Sequence, residues 1–131
     1  LRPVHSLWEK GVISYSVAKV NPLDDNETLR NFAYHIKENT RAVIMTHVSN
    51  VFGTALPVEK IASLCKARGI LFILDAAQSA GSPPINIKKD GIAVVCVPGH
   101  KGLMGPMGTG ALLFAGDVEE SLQAVEREAF Q

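Results

Sequence analysis

Two apolar runs in this chain each hand over to a residue able to do chemistry. Asp75 follows the run Ile70 to Leu74, and Lys101 follows the run Ile92 to Val97 after the turn Pro98-Gly99-His100. A carboxylate directly after an all-apolar strand is costly unless something pairs with it. A protonated pyridine nitrogen is such a partner, and the pairing keeps the ring an electron sink for carbanion chemistry. Gln78 lies close behind Asp75 and can donate to a phenolic oxygen on the same ring. Lys101 stands between Gly99-His100 and Gly102, so the backbone can approach a ligand closely and the lysine is freed from a regular element. Lysine suits Schiff-base chemistry because its pKa falls readily on desolvation. His100 can hydrogen-bond a phosphate. Together these groups describe a site for pyridoxal phosphate (PLP).

Such a site needs elements that deliver its residues to one place. In an open α/β sheet, parallel strands bring their C-terminal ends to one crevice, where ligands bind. A Walker-B-like or capping role for Asp75 is the competing reading, but the chain has no Gly-x-x-x-x-Gly-Lys-Ser/Thr loop to support a nucleotide site. The polar loop Thr46 to Thr54 carries Ser49-Asn50, which can meet a ring or substrate at a strand's end. No second His or acidic partner stands at ligand spacing from His47, so no metal site is expected. Gly105 to Gly110 is glycine-rich but runs into a strand, which favours a turn or backbone-packing role over a phosphate cradle.

The periodicity supplies the elements. Leu1 to Trp8 is an irregular or helical entry, and Val12 to Val20 reads as a strand. Leu29, Phe32, Ala33 and Ile36 form one stripe of an amphipathic helix, capped by Asp25 or Asn26. Ala42 to Met45 reads as a short buried strand. Pro57 suits the first turn of a helix with stripe Val58, Ile61, Ala62 and Cys65, and Gly69 is its stop. Ile70 to Leu74 lacks polar alternation, the pattern of a strand covered on both faces. Ala111 to Phe114 follows Lys101 too soon for a helical crossover and should run antiparallel. Asp117 can cap a last helix with Val118, Leu122, Val125 and Ala129 on one face. The expected architecture is α/β, three-layered, with a mostly parallel sheet and helices on both faces, folded as one unit.

At 131 residues, 47% hydrophobic and 20% charged, the chain has the composition of an ordinary soluble domain. Thirteen basic residues balance thirteen acidic ones, so no net field favours nucleic acid or an anionic membrane. No apolar run is long enough to span a bilayer and no signal-peptide pattern opens the chain. Count alone permits a disulfide between Cys65 and Cys96, but cysteines in apolar runs behave as small core residues, here two buried thiols in a reducing, cytoplasmic setting.

Three words in order, Thr46-His47-Val48-Ser49-Asn50-Val51-Phe52-Gly53-Thr54, Gly69 to Gly81 around Asp75-Ala76-Ala77-Gln78, and Gly99-His100-Lys101-Gly102 with the glycines to Gly110, resemble the class V aminotransferase family. The likeness is to its cysteine desulfurase and selenocysteine lyase branch of fold-type-I PLP enzymes. It covers nearly the whole chain. The resemblance implies that Lys101 carries PLP as a Schiff base and shuttles the substrate's α-proton. It also implies that Asp75 pairs with the pyridinium, Gln78 with the phenolic oxygen, His100 lies beside the phosphate and Asn50 contacts the ring oxygen or substrate carboxylate. A small amino acid such as cysteine is the implied substrate, with sulfur passed on as persulfide, a homodimer completing the site and an acceptor protein receiving the sulfur. Aminotransferase or β-lyase chemistry is the alternative within the family, and a scaffold that binds no PLP is the alternative outside it.

The pattern also departs from the family. Pro98 stands where a phosphate-binding Ser is common and offers neither hydroxyl nor backbone N–H. The family's glycine-rich phosphate loop and ring-stacking residue precede the segment matching Leu1, and its persulfide cysteine and substrate arginine follow the segment matching Gln131. Neither Cys65 nor Cys96 matches the sulfur-accepting position. The expectation is that residues 1–131 are the central part of a PLP-binding large domain, with little or no turnover alone.

Overall fold

The structure, a computed structural model, describes residues 2–116 and 118. Rather than the single unit expected, the chain packs as two compact units, Leu1–Asn39 and Thr40–Gln131.

The first unit holds helix α1 (Arg2–Glu9) and helix α2 (Asp25–His35). The α2 cap is Asp24, one residue before the expected Asp25 or Asn26, because its carboxylate accepts from the N–H groups of Asn26 and Glu27 at 2.8 and 3.0 Å. Phe32 is buried as its stripe position requires, but the most enclosed side chain of α2 is Thr28, at 0% exposure. Its hydroxyl accepts from the Asn21 N–H at 2.9 Å and donates to the Asn21 carbonyl at 3.1 Å, tying the preceding turn to the helix. The strand expected over Val12 to Val20 does not form. A strand needs a ladder partner, and the described residues of this unit include no other strand.

The second unit contains strand β1 (Ala42–Thr46), helix α3 (Val58–Ala67), strand β2 (Leu71–Asp75), the short helix α4 (Ile87–Asp90) and strands β3 (Val94–Pro98) and β4 (Gly110–Phe114). The sheet order is β1-β2-β3-β4; the first three strands are parallel and β4 returns antiparallel to β3. This is the mostly parallel α/β arrangement expected, including the direction of Ala111 to Phe114. The strand β3 begins two residues later than the run Ile92 to Val97, and α4 was not foreseen.

Helix α3 shows why the sequence folds this way. Val58, Ile61, Ala62 and Cys65 are all buried, and α3 packs on β2. Burying a side chain such as Ile61 contributes roughly 1.5–3 kcal/mol. Pro57 sits at the N-cap rather than in the first turn, and Gly69 adopts φ +64° just after the last turn. That left-handed conformation suits glycine and ends the helix.

Burial along β2 alternates. Phe72 and Leu74 are buried, and with their register neighbours Val43, Met45 and Val95 they form the core face. Leu71 and Ile44 point to the other face and are exposed, Ile44 at 52%. Coverage of the other face is uneven among the described residues: Ile73 packs against the small cluster of Ala93, Val94 and Val118, while Ile44 and Leu71 are exposed. The proposed cap Asp117 and the helix positions Leu122, Val125 and Ala129 lie outside the described residues. Val118 is described, and it is buried against Ala93 and Val94.

Candidate active site

Register along β1, β2 and β3 aligns Thr46, Asp75 and Cys96, so these three residues share the sheet face opposite Phe72 and Leu74. Asp75 is half-buried, and its Oδ1 accepts from the Ala77 N–H at 2.9 Å. One carboxylate oxygen thus shapes the turn into Gln78 while the charge stays at the strand's end. Next to it, burial pushes the Cys96 thiol pKa up, and the Asp75 carboxylate adds to the effect. The Ala76 N–H donates to the Cys96 carbonyl at 3.0 Å, which extends the sheet contact one step past the strand.

The lysine loop is built from close backbone contacts. The Gly99 N–H donates to the Thr109 carbonyl at 2.8 Å, and the Gly105 N–H donates to the Gly99 carbonyl at 2.7 Å. The Met104 N–H donates to the Lys101 carbonyl at 2.8 Å, closing a turn over the lysine. A Cβ on Gly99 would strike the Thr109 hydroxyl, and one on Gly105 would lie 3.0 Å from the Gly99 carbonyl oxygen. Gly105 and Gly110 therefore serve backbone packing and Gly108, at φ +82°, a turn, the roles that the lead into a strand suggested. A Cβ on Gly102 would strike the Ala80 carbonyl oxygen, so the residue after Lys101 lies directly on the turn that follows Gln78.

The expected site residues fall into two groups. Asp75 and Gln78 share one turn, and the Gly102–Ala80 contact brings the Lys101 backbone to it. Lys101, His100 and Asn50 are exposed on the loops that follow β3 and β1, while Gln78 is half-buried. These residues fit PLP in donor chemistry: an anion for a pyridinium, an amide for a phenolic oxygen, and an amine on an accessible loop. Pro98 ends β3 in register with Gly110 and contributes no phosphate donor.

His47, weighed in the sequence only as a metal ligand, takes a different place in the structure. Its Nδ1 lies 2.9 Å from the Ser79 hydroxyl, its N–H donates to the Asp75 carbonyl at 2.9 Å, and its carbonyl accepts from the Leu56 N–H at 2.8 Å. Burial pushes its pKa down, and Asp90 partly opposes that shift. Its position directly after β1 was the available signal. A small polar hollow lined by Glu59, Ser63, Lys89 and Asp90 shares none of the site residues. Cys65 and Cys96 are both free thiols.

A mostly parallel sheet with a carboxylate at one strand end and a glycine-bound lysine loop beside it defines an α/β protein whose carboxyl edge is of the kind at which ligands bind. Residues 9–129 match the family described as aminotransferase class-V, and the chain belongs to that family. A probable cysteine desulfurase of Methanothermobacter thermautotrophicus is 40% identical over 88 residues, 67% of this chain and 22% of that protein. A cysteine desulfurase IscS of Shewanella sp. (strain ANA-3) is 40% identical over 77 residues, 59% of this chain and 19% of that protein. The chain thus spans about a fifth of the length of these relatives. Among solved structures, the apo cysteine desulfurase of Thermococcus onnurineus NA1 superimposes with a TM-score of 0.76 at 30% identity, covering 92% of this chain and 30% of that one. The cystine C-S lyase C-DES, in complex with its product cysteine persulfide, gives 0.82 at 27% identity, covering 93% and 33%.

Proposed function

We propose that this chain is the central part of the PLP-binding domain of an enzyme that removes sulfur from L-cysteine. The observation that carries the reading is the seat of Asp75 at the carboxyl end of β2, with the Lys101 loop packed through Gly102 onto the turn beyond Gln78. The cysteine desulfurases among its relatives supply the substrate class. A C-S lyase with the same fold, and a variant of that lyase with glycine covalently linked to its PLP cofactor, support both the cofactor and a β-lyase as the second reading.

Bound PLP would supply an electron sink for the carbanion left when the substrate's α-proton departs. Asp75 holds a pyridinium N–H by charge, and its Ala77 bond keeps the carboxylate oriented. The Lys101 amine is the group that anchors the cofactor covalently and accepts and returns the α-proton at its Nζ. Gln78 donates to the ring's phenolic oxygen, His100 to phosphate, and Asn50 contacts the ring oxygen or the substrate carboxylate. Cys96, beside Asp75 with a raised pKa, is a poor persulfide acceptor, since the thiolate is the nucleophile.

The loops at this edge expose Val51, Phe52, Leu103, Met104 and Met107. Apolar tips around a ligand edge suit a covering partner, and a second copy of the protein is the partner proposed. A sulfur-acceptor protein and a cytoplasmic setting complete the reading.

Borohydride reduction after adding PLP, followed by peptide mapping of the full-length protein, tests the site. Label at Lys101 that is lost in Lys101→Ala supports it, and a PLP-binding protein labelled elsewhere overturns it. Alanine as the organic product of cysteine identifies a desulfurase, and pyruvate with ammonia identifies a β-lyase.

A further inference from the structure

We infer that His47 is a positioning residue for the cofactor turn, gripping both of its ends at once. The inference rests on the PLP reading above. The turn leaves β2 at Asp75, passes Gln78 and reaches Ser79. The His47 backbone N–H donates to the Asp75 carbonyl at 2.9 Å, and the ring Nδ1 meets the Ser79 hydroxyl, also at 2.9 Å. Ser79 is fully buried at 0% exposure, so its hydroxyl has no water to fall back on. His47 also accepts the Leu56 N–H at 2.8 Å, which closes the loop carrying Asn50. That loop is further drawn together by the Ser49 N–H bond to the Thr54 carbonyl at 3.0 Å and the Val48–Ala55 bridge. The His47 backbone makes two of these bonds, to Asp75 and Leu56, and its ring adds the third, to Ser79, fastening the far end of the turn to the residue that also closes the Asn50 loop. The backbone bond holds the Asp75 end of the turn, and the His47–Ser79 bond holds the other.

With a neutral ring protonated at Nε2, the Ser79 hydroxyl donates to Nδ1. Asparagine can place its Oδ1 near the same point, whereas alanine cannot. This separates the bond from the bulk of the ring.

The test uses the full-length protein stripped of cofactor, as wild type, His47→Ala, His47→Asn, Ser79→Ala and the His47→Ala/Ser79→Ala double variant. Absorbance titration with PLP should show the dissociation constant rising roughly tenfold in each alanine variant, the effect of one lost hydrogen bond. The double variant should be no worse than the singles, because both remove the same bond. His47→Asn should return to within about threefold of wild type. In the cofactor-free protein, the Ala77 amide should exchange with solvent faster in His47→Ala than in wild type. Unchanged PLP affinity in both alanine variants, or a His47→Asn protein as impaired as His47→Ala, overturns the inference. If the wild type binds no PLP, the functional reading fails separately. Ala77 exchange then decides the inference, and an unchanged rate overturns it. Ser79→Ala removes a single oxygen and carries the same test if His47→Ala does not fold.

Discussion

Gly102 lies against Ala80 so closely that a methyl group on its α-carbon would meet the Ala80 carbonyl oxygen. The obstacle is backbone rather than the tip of a flexible side chain, so the two loops must part to admit it. Gly102→Ala is expected to lower stability by about 1–3 kcal/mol, as overpacking does. It should also reduce the borohydride-trapped PLP at Lys101 several-fold, because the lysine moves with its neighbour. Urea unfolding and peptide mapping of the two proteins check both; unchanged trapping would detach the Gly102 contact from the lysine's position.

Asp75→Asn separates the charge of this residue from its shape. The amide keeps an oxygen for the Ala77 N–H, so the turn is retained, while the anion that would face a pyridinium is gone. Turnover of cysteine by the full-length protein should fall roughly 10- to 100-fold, the range for losing one charge-assisted hydrogen bond. The unfolding midpoint should change little. Wild-type turnover in Asp75→Asn would remove the residue from the role proposed for it.

Cys65 makes stability depend on alkaline pH. Burial pushes its pKa up to about 11 from an ordinary value of 9.0. The folded state holds the thiol proton in that window and the unfolded state has released it, so stability falls as pH rises. The contribution is complete below pH 9.0 and lost by about 11, in all roughly 2–3 kcal/mol. Unfolding free energies of wild type and Cys65→Ala, measured from pH 8 to 11, should converge by about that amount. Parallel curves would show that the thiol does not titrate with folding.

Asp24→Ala removes a carboxylate that accepts from two N–H groups at the start of α2. The expected loss is about 1 kcal/mol. It should be concentrated in the amides of Asn26 and Glu27, where hydrogen exchange quickens.

Local pattern was a reliable guide wherever one element had to bury one stripe. The four buried residues of α3 are the four that recur at helical spacing, and Gly69 ends the helix with the positive φ that glycine tolerates. The Asn86 to Gly91 segment carried a comparable signal: Asn86 accepts from the Lys89 N–H at 3.0 Å and Gly91 closes α4 at φ +67°. The shortness of α4 kept it from showing periodicity. Val12 to Val20 had strand composition but no ladder partner among the described residues of its unit, and β structure is a pairwise property.

The sequence by itself determined the family, the parallel order of the central strands, the antiparallel return of β4, and Asp75, Gln78 and Lys101 as candidates for chemistry. These are carried by residue types at short spacing, where helical and strand periods are set by local geometry. Only the tertiary structure decided that His47 meets Ser79, 32 residues away in the chain, and that Gly102 meets Ala80. Among the described residues, it also left Ile44 and Leu71 exposed on one sheet face. Such contacts depend on how strand register brings separate loops to one edge, and no window of sequence contains both partners.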